Sequence, residues 1–194
     1  MNNTAENNSK NSNDINENSK SLRKLSVVVS VYNEEKDLRE FYKETNKILE
    51  QIKKSGWEHE LIFVNDGSAD NSLSILEELA KEDHDVKLIS FSRNFGHEAA
   101  MIAGIDHSTG DGIICMDADL QHPPECIPKI IEKFDAGYEV INMVRTKNES
   151  AGLIKNITSS GFYWLINHIS DVHFEPNASD LFAISRHVAQ VLKD

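Results

Sequence analysis

Cysteine, basic charge and long apolar runs are all scarce in this chain. Its 194 residues include 2 cysteines, Cys115 and Cys126, too few for a disulfide scaffold, so both are expected as reduced thiols. Lys and Arg number 20 against 32 Asp and Glu, a formal net charge of -12. Such a balance argues against a protein that wraps a nucleic acid backbone, because that requires a clustered basic face and the sequence shows none. No apolar stretch approaches the roughly 18 residues of a membrane span, and the amino-terminal segment lacks the apolar centre of a secretion signal. The 8 histidines show no metal-binding spacing either: His84, His107 and His187 read as solvated, and only His97 and His122 fall near the polar clusters described below.

The chain is 39% hydrophobic, enough for one domain with a sizeable core and too little for two. From Met1 to Ser21 the apolar side chains are Met1, Ala5 and Ile15 alone, so residues 1–24 are expected to be a disordered polar tail. Residues 25–194 then form the single domain.

Within that domain strand and helix signals alternate. Leu25–Val31 is strongly β-branched and reads as a central first strand. A helix follows over Glu35–Lys54, with Leu38, Phe41, Thr45, Ile48, Leu49 and Ile52 at helical spacing. Leu61–Val64 is a second strand, and a helix capped by Asp70 or Asn71 presents Leu73, Leu76, Leu79 and Ala80. Val86–Phe91 is a third strand and His97–His107 a third helix. Ile113–Met116 is a short covered strand, and Pro123 and Pro124 open a helix that runs to about Ala136. Tyr138–Val144 is a fifth strand, 153–170 a helix, Leu181–Ile184 a further strand, and a last helix starts at Ser185. Alternation of this kind predicts an α/β fold, a mostly parallel sheet with helices on both faces.

Parallel sheets bind ligands beyond the carboxyl ends of their strands. The polar groups at those ends are Asn33 with Glu34 and Glu35, then Asp66, Arg93, the set Asp117, Asp119 and Gln121, and Arg145. Five successive strands thus aim chemistry at one rim. Residues two apart in an extended chain face the same way, so Asp117 and Asp119 can converge on one spot, with Gln121 as a third oxygen donor. Such hard donors suit Mg²⁺ or Mn²⁺, and that cation suits a diphosphate. Arg93 and Arg145 can offset phosphate charge, and a carboxylate at Asp66 can accept hydrogen bonds from a base or ribose. A phosphatase using the two aspartates fits less well, because Gln121 stands where that chemistry has Thr or Val.

These strings resemble a known family. Val27–Glu35, Phe63–Ser72, Arg93-Asn94-Phe95-Gly96-His97-Glu98-Ala99-Ala100 and Asp117-Ala118-Asp119-Leu120-Gln121-His122-Pro123-Pro124-Glu125 are similar to the successive motifs of family-two glycosyltransferases. The resemblance is to the GT-A (Rossmann-like) fold and to the branch of dolichyl-phosphate mannose synthases and bactoprenyl-phosphate glucosyltransferases. It implies an inverting, metal-dependent enzyme that moves a sugar from a UDP- or GDP-sugar to a polyprenyl phosphate or other lipid-linked acceptor. It further implies a cytoplasmic protein, peripheral to the cytoplasmic membrane face or anchored there in a longer form. By the same match Glu35, Asp66 and Arg93 hold the nucleotide, with Asp117 near the ribose. Asp119 and Gln121 bind Mg²⁺ or Mn²⁺, Asp180 matches an acceptor-side aspartate that orients acceptor or sugar, Arg145 offsets charge on the diphosphate or the acceptor phosphate, and Arg186 matches a basic residue a few places after Asp180. Phe182 stands where the family has a basic residue after Asp180, and Asn148 where a second arginine follows Arg145. The chain also stops before the acceptor region and membrane helices common in this branch, so the resemblance implies a truncated form, a fragment or a departed paralogue. A catalytically silent nucleotide-sugar binding module is the alternative.

Overall fold

A computed structural model describes residues 23–119, 123–144 and 178–192. Among these residues six strands form one sheet in the order β3-β2-β1-β4-β6-β5. The strands are β1 (Arg23–Val31), β2 (Trp57–Asn65), β3 (Val86–Ser90), β4 (Gly112–Asp117), β5 (Val140–Val144) and β6 (Ala178–Ser185). The helices are α1 (Leu38–Lys53), α2 (Ser72–Glu82), α3 (His97–His107), α4 (Ile127–Asp135) and α5 (Arg186–Val191), with a 3₁₀ turn at Pro124–Cys126 leading into α4. The predicted tail and the helix expected over 153–170 lie outside the described residues. Arg23 and Lys24, assigned to the tail from sequence, already belong to β1.

β1 is central as expected, paired in parallel with β2 on one side and β4 on the other. β3 continues the parallel array beyond β2. Only β6 runs against its neighbours, antiparallel to both β4 and β5.

The sheet is apolar on both faces, as a covered parallel sheet must be. Along β1 the alternation is direct: Leu25, Val27, Val29 and Val31 enter one core, while Val28 enters the other. The first core is roofed by α1, α2 and α4 through Phe41, Leu49, Leu76, Ile127 and Ile130. α3 and α5 roof the second through Ala100, Met101, Ile105 and Ala189. Cys115 and Cys126 are both free and buried, and burial pushes their thiols up to about 12 and about 11. No helix among the described residues is long and apolar enough to cross a membrane.

Gly104 brings α3 close to the sheet: a Cβ there would stand 2.1 Å from Val28 Cγ1. Val28 is fully buried and stiff at χ1, so it cannot swing away. Gly104→Ala is therefore expected to lower stability by about 1–3 kcal/mol through overpacking, despite alanine's better helix propensity. Denaturant unfolding measures it.

Candidate active site

Because β1, β2 and β4 are parallel and in register, their carboxyl ends reach one level: Val31 lies beside Asn65, and Ser30 beside Asp117. The turns that follow enclose a cleft of about 310 Å³ lined by Ser30, Tyr32, Glu34, Asp66, Asn94, His97, Asp117, Ala118 and Asp119. The Asp-Ala-Asp string alternates as an extended chain should. Ala118 is buried and packs in the first core, while Asp117 and Asp119 on either side of it are partly exposed where they line the cleft.

The turn after β1 decides which glutamate reaches the cleft. Asn33 takes a left-handed conformation, φ 58, which asparagine tolerates better than most residues. Its side-chain oxygen accepts from Ala69 N at 2.8 Å, and its own N–H donates to Ser68 Oγ at 3.0 Å. The reversed chain leaves Glu34 on the cleft wall. Glu35, the glutamate expected there from sequence, is turned to the start of α2, where its Oε2 accepts from Asn71 N at 3.0 Å and from Asn71 Nδ2 at 2.9 Å. Glu35 is thus placed at the start of a helix rather than on the cleft lining.

Asp66 reaches the cleft from the end of β2 and is 2% exposed. Its Oδ1 accepts from Phe95 N at 2.7 Å and its Oδ2 from Gly96 N at 2.9 Å. Beside it Asn65 is held by Ser90 Oγ and by Ser68 N. His97, the first residue of α3, places Nδ1 3.4 Å from Asp117 Oδ1. Arg93, in the loop before α3, is exposed, its guanidinium 4.3 Å above the Phe95 ring.

Gln121, His122, Arg145 and Asn148 lie outside the described residues. Asp180 belongs to β6. Cys115 pairs with Phe182, so continuing that antiparallel register brings residue 180 level with Asp117, at the rim. The reversed direction of β6 also carries Arg186 away. Arg186 donates to Gly110 O at 2.8 Å and 2.6 Å and to Ser108 Oγ at 3.0 Å, at the entry to β4 and the far end of the sheet. Arg186 thus ties α5 to the loop before β4. Phe182 packs as a partly buried member of the second core.

The cleft is strongly acidic. Burial pushes the Glu34 carboxyl up, and the charges of Asp37, Asp119, Asp117 and Asp70 push it further in the same direction. A wall of oxygen donors crowding negative charge around Glu34 suits a hard divalent cation such as Mg²⁺ or Mn²⁺, so the residues present fit that group. Glu34, Tyr32, Ser30 and Asn94 escaped assignment of a role from sequence. The detectable signal was Asn33, a residue suited to the left-handed turn that sets Glu34 inward.

A second group of possible ligands, Glu50, His59 and Asp85, has its atoms within 4.8 Å of one another, but it lies at the opposite end of β2. Lys53 Nζ stands 3.7 Å from Glu50 and 3.6 Å from Asp85, so that cluster contains its own counter-ion.

Comparison with known proteins agrees with this geometry. The model of Glycosyl transferase family 2 matches residues 26–187. An uncharacterized glycosyltransferase of Bacillus subtilis is 43% identical over 168 residues, covering 87% of this chain and 51% of the relative. A prophage bactoprenol glucosyl transferase homolog of Escherichia coli is 44% identical over 170 residues, covering 88% of this chain and 55% of the relative. The chain spans about half the length of the curated relatives it matches. Among solved structures, a mannosyltransferase from Pyrobaculum calidifontis in complex with GDP-Man and Mn²⁺ superposes with a TM-score of 0.58 at 18% identity, over 88% of this chain and 46% of that one. Glucosyl-3-phosphoglycerate synthase from Mycobacterium tuberculosis, with Mn²⁺, UDP and phosphoglyceric acid, gives 0.59 at 19% identity, over 86% and 57%; at such identities the likeness is one of fold. With its motif-bearing strand ends gathered on one acidic cleft, the chain belongs to Glycosyl transferase family 2 and has the GT-A fold.

Proposed function

We propose that this chain supplies the donor-binding catalytic domain of an inverting glycosyltransferase, which moves a sugar from a UDP- or GDP-sugar to a polyprenyl phosphate at the cytoplasmic membrane face. The observation that carries the reading is the gathering of Glu34, Asp66, Asp117 and Asp119 around one cleft at the carboxyl ends of parallel strands. Relatives named bactoprenol glucosyl transferase support the acceptor class.

In this reading Asp66 and Glu34 border the nucleoside and Asp117 meets the ribose. Asp119, with Gln121, holds Mg²⁺ or Mn²⁺, which when bound neutralises charge on the departing diphosphate. Arg93 and Arg145 add positive charge at the phosphates. An oxygen of the acceptor phosphate attacks the anomeric carbon as the bond from that carbon to the diphosphate oxygen breaks, so configuration inverts in one displacement. The attacking oxygen is already anionic, so no strong general base is required. Asp180 then acts by orienting acceptor or sugar.

The test offers labelled UDP- and GDP-sugars and polyprenyl phosphate to the protein with Mn²⁺ or Mg²⁺. Organic-extractable label is expected, lost on chelation and restored by adding metal. Metal-dependent nucleotide binding without transfer would favour a silent binding module. Absence of nucleotide binding would sink both readings.

A further inference from the structure

Asp66 is among the groups placed beside the nucleoside above, yet its hydrogen bonds point elsewhere. Its side chain is almost fully buried, and each carboxylate oxygen accepts a backbone N–H from the loop joining β3 to α3: Phe95 N at 2.7 Å and Gly96 N at 2.9 Å. The next residue makes the same connection by shape. Gly67 has φ +66, and a Cβ on it would stand 2.3 Å from the Arg93 carbonyl carbon and 2.6 Å from Asn94 N. One residue earlier, Asn65 O accepts from Phe91 N at 2.9 Å, and Asn65 Nδ2 donates to Ser90 Oγ at 3.0 Å. Three consecutive residues at the end of β2 therefore grip the β3–α3 loop at three successive points.

What that loop carries makes the grip consequential. Asn94 and His97 line the cleft, His97 faces Asp117, and Arg93, next to Asn94 in the chain, is exposed and stacked on Phe95. Phe95 is 51% exposed and its ring meets the Phe91 ring at 5.4 Å and the Arg93 guanidinium at 4.3 Å, both within the same loop, so these contacts do not anchor the loop in a core. Gly96 has φ 104 and brings no side chain to cap α3. The Asp66 carboxylate instead holds the two residues leading into the helix, where a negative charge is also favoured by the helix dipole. Hydrogen bonds from neutral donors to a buried carboxylate are among the stronger ones, and removing that acceptor leaves two backbone donors to find new partners.

We infer that Asp66 is a positioning residue for the donor site: it fixes the β3–α3 loop, and with it Arg93, Asn94 and His97, so that its loss weakens recognition of the phosphate-bearing part of the nucleotide as well as the base. This rests on the reading of the cleft as a nucleotide-sugar site. A residue acting only by touching the base affects ligands that carry a base. A residue that sets the loop affects ligands without one.

The experiment compares the wild-type chain with Asp66→Asn and Gly67→Ala, each checked for folding by circular dichroism. Amide hydrogen exchange at Phe95 and Gly96 is read in all three, and Mn²⁺-dependent binding of UDP and of ribose 5-diphosphate is measured by calorimetry. Asp66→Asn is expected to speed exchange at both amides at least 10-fold and to weaken both ligands by about 10-fold. Gly67→Ala leaves the carboxylate in place and forces the two segments apart, so it should reproduce the weakening of both ligands. Weakened UDP with unchanged ribose 5-diphosphate in Asp66→Asn, and wild-type behaviour in Gly67→Ala, would overturn the inference in favour of a direct base contact. If the wild-type chain binds neither ligand, the nucleotide reading fails, and the exchange rates alone then decide whether Asp66 fixes the loop: unchanged protection overturns it. Should Asp66→Asn fail to fold, Gly67→Ala decides by the same readouts.

Discussion

Asp119→Ala is expected to reduce sugar transfer by about 10³-fold or more while leaving the thermal midpoint nearly unchanged. The two effects separate because of where Asp119 sits. Packing at the end of β4 is done by Ala118, which is buried, and by Met116 beneath it; Asp119 is only partly covered and lines the cleft. Truncating it creates no cavity. It also relieves repulsion, since the Asp119 charge is among those that push the Glu34 carboxyl up. A surface change of this kind alters stability by about 0.5 kcal/mol or less. On the proposed reading, transfer by contrast loses an oxygen ligand to the cation at the place where negative charge develops on the leaving diphosphate. Rates of label transfer at saturating donor, with Mn²⁺ raised well above the wild-type requirement, measure the defect. Activity within 10-fold of wild type at high Mn²⁺ would show that Asp119 is not needed to hold the cation.

The parallel part of the sheet was legible because its signals are local. β-branched runs, turn residues and helical spacing recur with the right lengths, and parallel connections then bring the strand ends to one rim. Two features were not legible for physical reasons. Adjacent residues in a turn point wherever its dihedrals send them, so Glu34 and Glu35 look equivalent in the sequence, and the φ of Asn33 alone separates them. The direction of β6 follows from a connection whose residues carry no short-range signal for parallel or antiparallel pairing. An antiparallel β6 keeps residue 180 near the rim and sends Arg186 to the other end, where it joins Gly110 and Ser108. The start of β2 was also hidden, because Glu58, His59 and Glu60 read as polar surface rather than as a strand inside a sheet.

That hidden segment contains the polar contact expected to matter most for stability. Glu60 is 1% exposed, yet its carboxylate is satisfied on every side: Ser26 Oγ at 2.6 Å, Thr109 N at 2.7 Å, Lys24 Nζ at 3.0 Å and Lys87 Nζ at 2.5 Å. Burial pushes its pKa up, and the hydrogen bonds from Lys87, Ser26, Thr109 and Lys24 outweigh that, holding it lowered to about 2. The network joins β1, β2, β3 and the loop before β4 at the end of the sheet opposite the cleft. Ser26 Oγ extends it by accepting from Gly110 N at 2.8 Å. A depression of that size corresponds to about 3 kcal/mol of stability at neutral pH. The sign follows from the depressed value: the contribution is complete above the unfolded pKa of 4.5 and is lost as pH falls towards about 2. Glu60→Gln keeps the shape and removes the charge, so it should unfold about 2–3 kcal/mol more easily at pH 7. Lys24 and Lys87 are partly exposed and can return to water, which keeps the loss below that of a fully buried pair. The difference between Glu60→Gln and the wild type should shrink as pH is lowered from 5 to 2.5, because the wild-type carboxyl then approaches its own protonation while the amide has none to undergo. Denaturant unfolding of both proteins across that range is the measurement. A difference that stays constant with pH would mean that shape, not charge, is what Glu60 contributes.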